Sequence, residues 1–320
     1  MKIALPPKIK GVTLVELMIS LVLGVVLSSA CIQAFLTTKQ LFIKQNAIAR
    51  IQENARVIAI VLGEAIEASG SLGCTTFAQE HSIAIANNIN AQEMLLLPRS
   101  RVLGIAQESI LPQLILARIS PQSNLVAIKS VDKLQPVISI DPKQNMVTIK
   151  GKFDYEKDKI MVISDCAHSV FAKAKAVSHQ KGKTFISFAS LTNELEQLSF
   201  SKNITIGELA SQLYYIGNTH RVNSNGQQVD ALYMSDFNGR TLELVEGVEQ
   251  MKILYGVSDG NKIHYVTQEN VSDWLAIVKV RVSLLLTSIE DTLVINKQPD
   301  SVDNLLKQWW HFEWTIKGSA

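Results

Sequence analysis

The chain of 320 residues has little of several things, and each shortage excludes something. Charge is nearly balanced at +2, so no basic tail or face announces a nucleic-acid partner. Aromatic residues make up only 6% of the chain, too few for a surface built around stacked rings throughout. Six histidines are scattered at positions 81, 168, 179, 220, 264 and 311, without zinc-finger or HExxH spacing, so no metal centre and no cofactor is expected. Cysteine is scarce: Cys31 lies in an apolar stretch, whereas Cys74 and Cys166 lie in the polar body. No internal repeat and no long linker divides the chain. The most localised shortage is of charge itself, which is absent from Leu17 to Thr38.

That uncharged stretch is long enough, as a helix, to cross a bilayer, which takes about 20 apolar residues. Before it stand Lys2, Lys8 and Lys10 with no acidic residue among them, so the start should remain cytoplasmic and the rest be sent outward. A secretory signal places its small-residue cleavage site after the apolar stretch. Here the small residue, Gly11, comes before it. Cleavage there would remove the basic leader and keep the helix. Glu16 is the anomaly, because a carboxylate at the edge of a membrane helix costs roughly 2–3 kcal/mol and needs a partner. Cleavage after Gly11 creates an amine on Val12, and the amine of a neighbouring subunit could pair with Glu16 where the dielectric is low.

The run Lys10-Gly11-Val12-Thr13-Leu14-Val15-Glu16-Leu17 resembles the type III signal of type IV pilins and pseudopilins. The resemblance implies that a prepilin peptidase cleaves after Gly11 and methylates the amine of Val12, which stands where the family usually has phenylalanine. It further implies that Glu16 aligns subunits during assembly. Beyond the span, Leu41, Ile48, Ile51, Ala55, Ile58, Leu62 and Ala65 or Ile66 recur at three- and four-residue steps, which predicts one apolar helix face. The helix is expected from about residue 13 to Ser69, with Gly70 as the stop signal.

The remainder reads as mainly β. Candidate strands are 125–130, 137–140, 146–149, 160–164, 184–189, 212–216, 231–235, 249–257, 262–266 and 276–286. Asn225-Gly226 and Asn238-Gly239 are hairpin dipeptides. Prolines at 98, 112 and 121 leave residues 93–123 ambiguous. The expected fold is therefore α+β, a long N-terminal helix packed on a mainly antiparallel β domain. Its expected parts are a leader (1–11), an assembly helix (12–36), an amphipathic continuation (37–70) and a β-rich body (71–320).

Within this body, Gln52–Arg56, Leu72–Cys74, Asp158–Cys166, Tyr214–Gly217, Leu244–Val257 and Val278–Leu285 resemble, in order, the PilW-type minor pilins. The resemblance implies an inner-membrane subunit with its body in the periplasm, which helps to initiate the pilus and ends near its tip. Its implied partners are the prepilin peptidase, other minor pilins, the major pilin and a PilY-type adhesin. The alternatives are a type II secretion pseudopilin of the GspJ kind, a DNA-binding receptor pilin or a membrane-anchored enzyme. Export would make Cys74–Cys166 the natural disulfide, with Cys31 a small membrane-buried residue.

Other patterns are weaker. Gly256-Val-Ser-Asp-Gly260 matches G-x-S-x-G, but strand-like runs on both sides make it a hairpin rather than a nucleophile elbow. Lys173, Lys175, Lys181 and Lys183 are read as a solvated hairpin rather than a DNA contact. Asp154, Glu156 and Asp158 lack calcium-loop spacing and are read as a solvated face. Trp309, Trp310, Phe312 and Trp314 are either a binding patch or the core side of a last strand. No acid, base and nucleophile converge, so no enzyme is expected.

Overall fold

The computed structural model describes residues 13–72, 82–85, 101–105, 119–120, 123–155, 158–165, 167–189, 195–196, 202–223, 226–236, 240–260, 262–289 and 305–316. One helix, α1 (Leu14–Ala68), opens it. At 1.5 Å per residue its 55 residues reach about 80 Å. Thr13 caps it, with extended backbone and a side chain accepting the Glu16 N–H at 3.3 Å. At the other end Ser69 turns out of the helix while its hydroxyl donates to the Ile66 carbonyl at 2.6 Å. Gly70 then takes φ +74°, a conformation that glycine adopts without cost.

Only the second half of α1 is packed. Ala47, Ile51, Ala55, Ile58, Leu62, Gly63 and Ile66 are buried, at helical spacing. The expected stripe is corrected at its beginning: Leu41 is 54% exposed, because the body starts to cover the helix only at Ala47.

The strands are β1 (Ser82–Ile85), β2 (Val102–Ile105), β3 (Leu125–Asp141), β4 (Met146–Lys150), β5 (Ile160–Ser164), β6 (His168–Gln180), β7 (Lys183–Phe188), β8 (Thr205–Val222), β9 (Gln228–Asp236), β10 (Thr241–Glu246), β11 (Val248–Ser258), β12 (Ile263–Val266), β13 (Ile277–Thr287) and β14 (Lys307–Thr315). They form two sheets. In the larger, β3 pairs with β8, β8 with β5, β5 with β6, β6 with β7, β7 with β4, and β4 with β3 again. This ring of six antiparallel strands closes on Val147, Ile149, Met161, Ile163, Ala172, Ile186 and Ile206, which fill its interior. Strands β9 and β10 continue outward from β8, β2 lies beside β3, and β1 joins β6 in parallel. The smaller sheet runs β12-β11-β13-β14, all antiparallel.

Helix α1 is held between the sheets. Ile51, Ile58, Leu62 and Ile66 share a core with Val126, Tyr214 and Leu232 of the larger sheet and with Met251, Val282 and Leu284 of the smaller. The close approach is at Gly63, where an added Cβ would lie 2.6 Å from Nε1 of Trp314.

Two expectations about strands are corrected. The runs 125–130 and 137–140 belong to one strand, β3, which passes through an irregularity between Asp132 and Gln135 with Lys133 at φ +53°. That kink is held by the Lys133 ammonium donating to Glu208 at 2.8 Å and by the Tyr155 hydroxyl donating to the Lys133 carbonyl at 3.0 Å. The 13-residue strand β6 was not foreseen, nor were β1, β2 and β10, whereas β14 is the last strand that the tail aromatics offered as one of two alternatives. Of the two hairpin dipeptides, Gly226 takes φ +75° between β8 and β9, and Asn225, Asn238 and Gly239 lie outside the described residues.

Candidate assembly site

The start of α1 carries the candidate site. Glu16 is exposed in the first turn, where unpaired N–H groups leave partial positive charge. Gly11 and Val12 lie outside the described residues. From Leu14 to Leu36 every apolar side chain is exposed. Hydroxyls within this region bond back to the helix: Ser20 to the Glu16 carbonyl at 2.7 Å, Thr37 to Gln33 at 2.9 Å and Thr38 to Ala34 at 2.8 Å. Such back-bonding satisfies a hydroxyl in an apolar medium without a partner helix. Cys31 is a free, exposed thiol on the same surface.

Among the described residues nothing covers this apolar surface. It is suited to lipid or to the apolar helices of neighbouring subunits. The packed half of α1 then couples whatever holds the first half to the β body.

Cys74 and Cys166 lie outside the described residues, but their flanks meet: the Ser164 hydroxyl donates to the Leu72 carbonyl. Around that contact, buried Leu72 packs with Val131, Ile160, Val162 and Phe171.

The other sequence patterns fall as follows. Ser258 of the G-x-S-x-G match ends β11, the Asp259 carboxylate accepts the Lys262 N–H at 2.8 Å, and Gly260 takes φ +91° before β12 begins. Strand, turn and strand replace the strand, turn and helix that a nucleophile elbow requires. Lys173 and Lys175 lie on β6, Lys181 and Gly182 form the turn, and Lys183 starts β7, so the run is a hairpin. The structure adds Lys150, which is directly opposite Lys183 and which sequence reasoning missed. The Asp154 side chain is 88% exposed; Glu156 lies outside the described residues. His168 stands beside Asp165, His179 meets Thr184 at 2.9 Å, His264 meets Asp259 at 3.1 Å and His311 meets Ser283 at 2.8 Å. Among the described residues no three His, Cys, Asp or Glu side chains converge as a metal site would need.

The aromatic tail is divided by strand alternation. Trp310, Phe312 and Trp314 face α1 and stack along β14 at 6.3 and 5.4 Å. Trp309 faces outward, stacked with His311 and under the Lys252 ammonium at 5.1 Å. On that outer face Glu313 takes hydrogen bonds from Arg281 at 2.8 Å and Lys279 at 3.0 Å, which hold its carboxyl down at about 2. Arg281 also lies 3.9 Å over the ring of Tyr265.

Comparison with known families places both ends of this arrangement. Residues 6–32 match the prokaryotic N-terminal methylation motif, and residues 213–306 match the family described as type IV pilus-assembly protein W. No curated protein and no solved structure matches the chain. A methylation motif leading into an exposed apolar helix, which is then clasped by an antiparallel β body, defines a membrane-anchored type IV pilin-like protein. Over residues 213–306, somewhat under a third of its length, the chain is similar to the PilW family. The matched segment runs from the outer part of β8 through β13 and stops before β14, which sets Trp314 against Gly63 of the helix.

Proposed function

We propose that the chain is a minor type IV pilin that helps initiate pilus assembly and remains in the tip complex, after prepilin peptidase cleaves behind Gly11. The observation that carries this reading is the division of α1: an exposed apolar half beginning at a capped, acidic first turn, and a buried half fixed between two sheets. In the proposed mechanism the basic leader holds the precursor in the inner membrane with its body in the periplasm. Cleavage leaves the Val12 amine four residues before Glu16. The carboxylate of Glu16 pairs with the amine of a neighbouring subunit, or its own amine with a neighbour's glutamate. That attraction is strong in a low dielectric, and it sets the axial register of the helices. The body, carried rigidly by the second half of α1, meets other minor pilins, the major pilin and a tip adhesin. No catalysis and no cofactor enter this reading.

The test is the N-terminal mass of the mature protein, expressed with and without the peptidase, in wild type and in Gly11→Ala. Loss of residues 1–11 only with the peptidase and only with Gly11 supports the reading. An intact N-terminus, or cleavage after the apolar stretch, overturns it.

A further inference from the structure

We propose that the outer edge of β14 is a strand-addition surface that takes an extended, acidic and apolar alternating segment of another polypeptide. The first observation is the direction of the backbone groups. The Ile316 N–H donates to the Val278 carbonyl at 2.9 Å, and the Ser288 N–H donates to the Leu306 carbonyl at 2.9 Å. Between these points β14 runs against β13 in unbroken register, from Thr287–Lys307 to Lys279–Thr315. Antiparallel pairing alternates, so the even-numbered residues of β14 bond to β13. Trp309, His311, Glu313 and Thr315 therefore turn both N–H and C=O away from it. Among the described residues no strand pairs with that edge.

The second observation is that this edge is not blunted. It is nine residues long and contains no proline and no register shift. Edge strands are usually kept from pairing by shortness, charged side chains, proline, a bulge or a covering element, and among the described residues β14 has of these only Lys307 and Glu313, towards its two ends. The opposite edge of the same sheet, β12, has only four residues.

The third observation fixes the occupant. A second copy fits poorly. Two β14 edges joined antiparallel are related by a two-fold axis perpendicular to the sheet, which would reverse α1 in the partner and point the two apolar helices in opposite directions. Joined in parallel, the two edges would be related by a two-fold axis along the strands, which turns the second copy over and sets its Lys307, His311 and Glu313 beside the apolar row of Trp310, Phe312 and Trp314. A different polypeptide has neither problem. Its side chains facing α1 would continue the partly buried row of Trp310, Phe312 and Trp314, and should be apolar. On the outer face the neighbourhood holds Lys252, Lys279, Arg281 and Lys307 against Glu249 and Glu313, an excess of positive charge that calls for acidic residues. The exclusion of a second copy rests on the anchored-pilin reading, whereas the backbone and charge arguments do not.

The experiment uses the full-length protein in detergent micelles and two synthetic nonapeptides, one alternating glutamate with valine and one alternating lysine with valine. The glutamate peptide is expected to bind about tenfold more tightly than the lysine peptide and to slow amide exchange at Trp309, His311 and Glu313. His311→Pro removes an outward amide without touching the β13 pairing and should weaken binding about tenfold, whereas His311→Ala keeps the amide and should bind as wild type. Equal binding of both peptides, no binding, or protection elsewhere overturns the proposal. Concentration-dependent protection of the same amides without peptide overturns it in favour of a second copy. None of these outcomes depends on whether Gly11 is cleaved, so this failure is distinguishable from failure of the pilin reading.

Discussion

The Ser164 hydroxyl donates to the Leu72 carbonyl, joining the end of the helical segment to the end of β5 across 92 residues of sequence. Cys74 and Cys166 each stand two residues beyond one of these partners. With the chain carried to an oxidising compartment, the two cysteines are expected to form a disulfide, which would close a long loop worth about 4–5 kcal/mol in the chain-entropy account. Peptide mapping without reductant should recover the linked pair, and Cys74→Ser should lower the unfolding free energy by several kcal/mol. Two free thiols in the exported protein would contradict this.

Gly63 and Trp314 make a second testable contact. Alanine at 63 would place its Cβ 2.6 Å from the indole Nε1, and the ring is confined by its stack on Phe312. Overpacking of this kind costs about 1–3 kcal/mol, and the better helix propensity of alanine returns about 1 kcal/mol. Gly63→Ala should therefore destabilise by up to about 2 kcal/mol in denaturant titrations. Trp314→Phe in the same chain should recover part of that loss, because a smaller ring leaves room for the methyl.

The division of α1 predicts opposite behaviour on its two halves. Leu62 is fully buried, and Leu62→Ala should cost about 2–5 kcal/mol of folding stability. Val25 is 61% exposed, and Val25→Ala should leave the unfolding of the body within about 0.5 kcal/mol of wild type. The unfolding midpoint of the β-sheet circular dichroism signal measures both.

Much of this was legible in advance, and what was not has particular causes. The helix and its apolar face could be read because spacing at three and four residues is local, as was the Gly11–Glu16 pattern. Leu41 fitted that spacing yet lies exposed, since periodicity does not say where the body begins. Strand β6 was missed because its inward positions include Ala172 and Ala174, too small to signal a strand, with Lys173 and Lys175 alternating with them. Strand β3 looked like two because the turn-like run Asp132-Lys133 is a kink held by Glu208 and Tyr155, both distant in sequence. The ring of six strands was invisible for the same reason: β3 joins β8 and β7 joins β4 only through tertiary pairing. The tail aromatics could be sorted only once β14 had a register.

Lys129 supplies a pH prediction. It is 2% exposed, and burial pushes its ammonium down to about 8. Its ordinary value in the unfolded chain is about 10.4, so the unfolded state binds more protons between these values. Stability should rise as pH increases from about 8 to 10.5 and be level below and above that window, with a total change of about 3 kcal/mol. Lys129→Met should flatten that rise. A wild-type profile that falls across this window would show that the buried ammonium is favoured instead.

Glu16 tests the assembly reading itself. If the carboxylate only terminates a membrane anchor, Glu16→Gln should relieve the cost of a charge near the bilayer and leave incorporation into pili unchanged or improved. If it pairs with the amine of a neighbouring subunit, the neutral amide keeps the shape and loses the attraction, which is strongest where water is excluded. Glu16→Gln should then be exported and cleaved normally but be depleted from sheared pili by about tenfold or more, corresponding to roughly 1.4 kcal/mol. Quantifying the protein in membrane and pilus fractions separates the two. Normal cleavage with normal incorporation would leave Glu16 without an assembly role. Failure of cleavage would instead assign it to recognition by the peptidase.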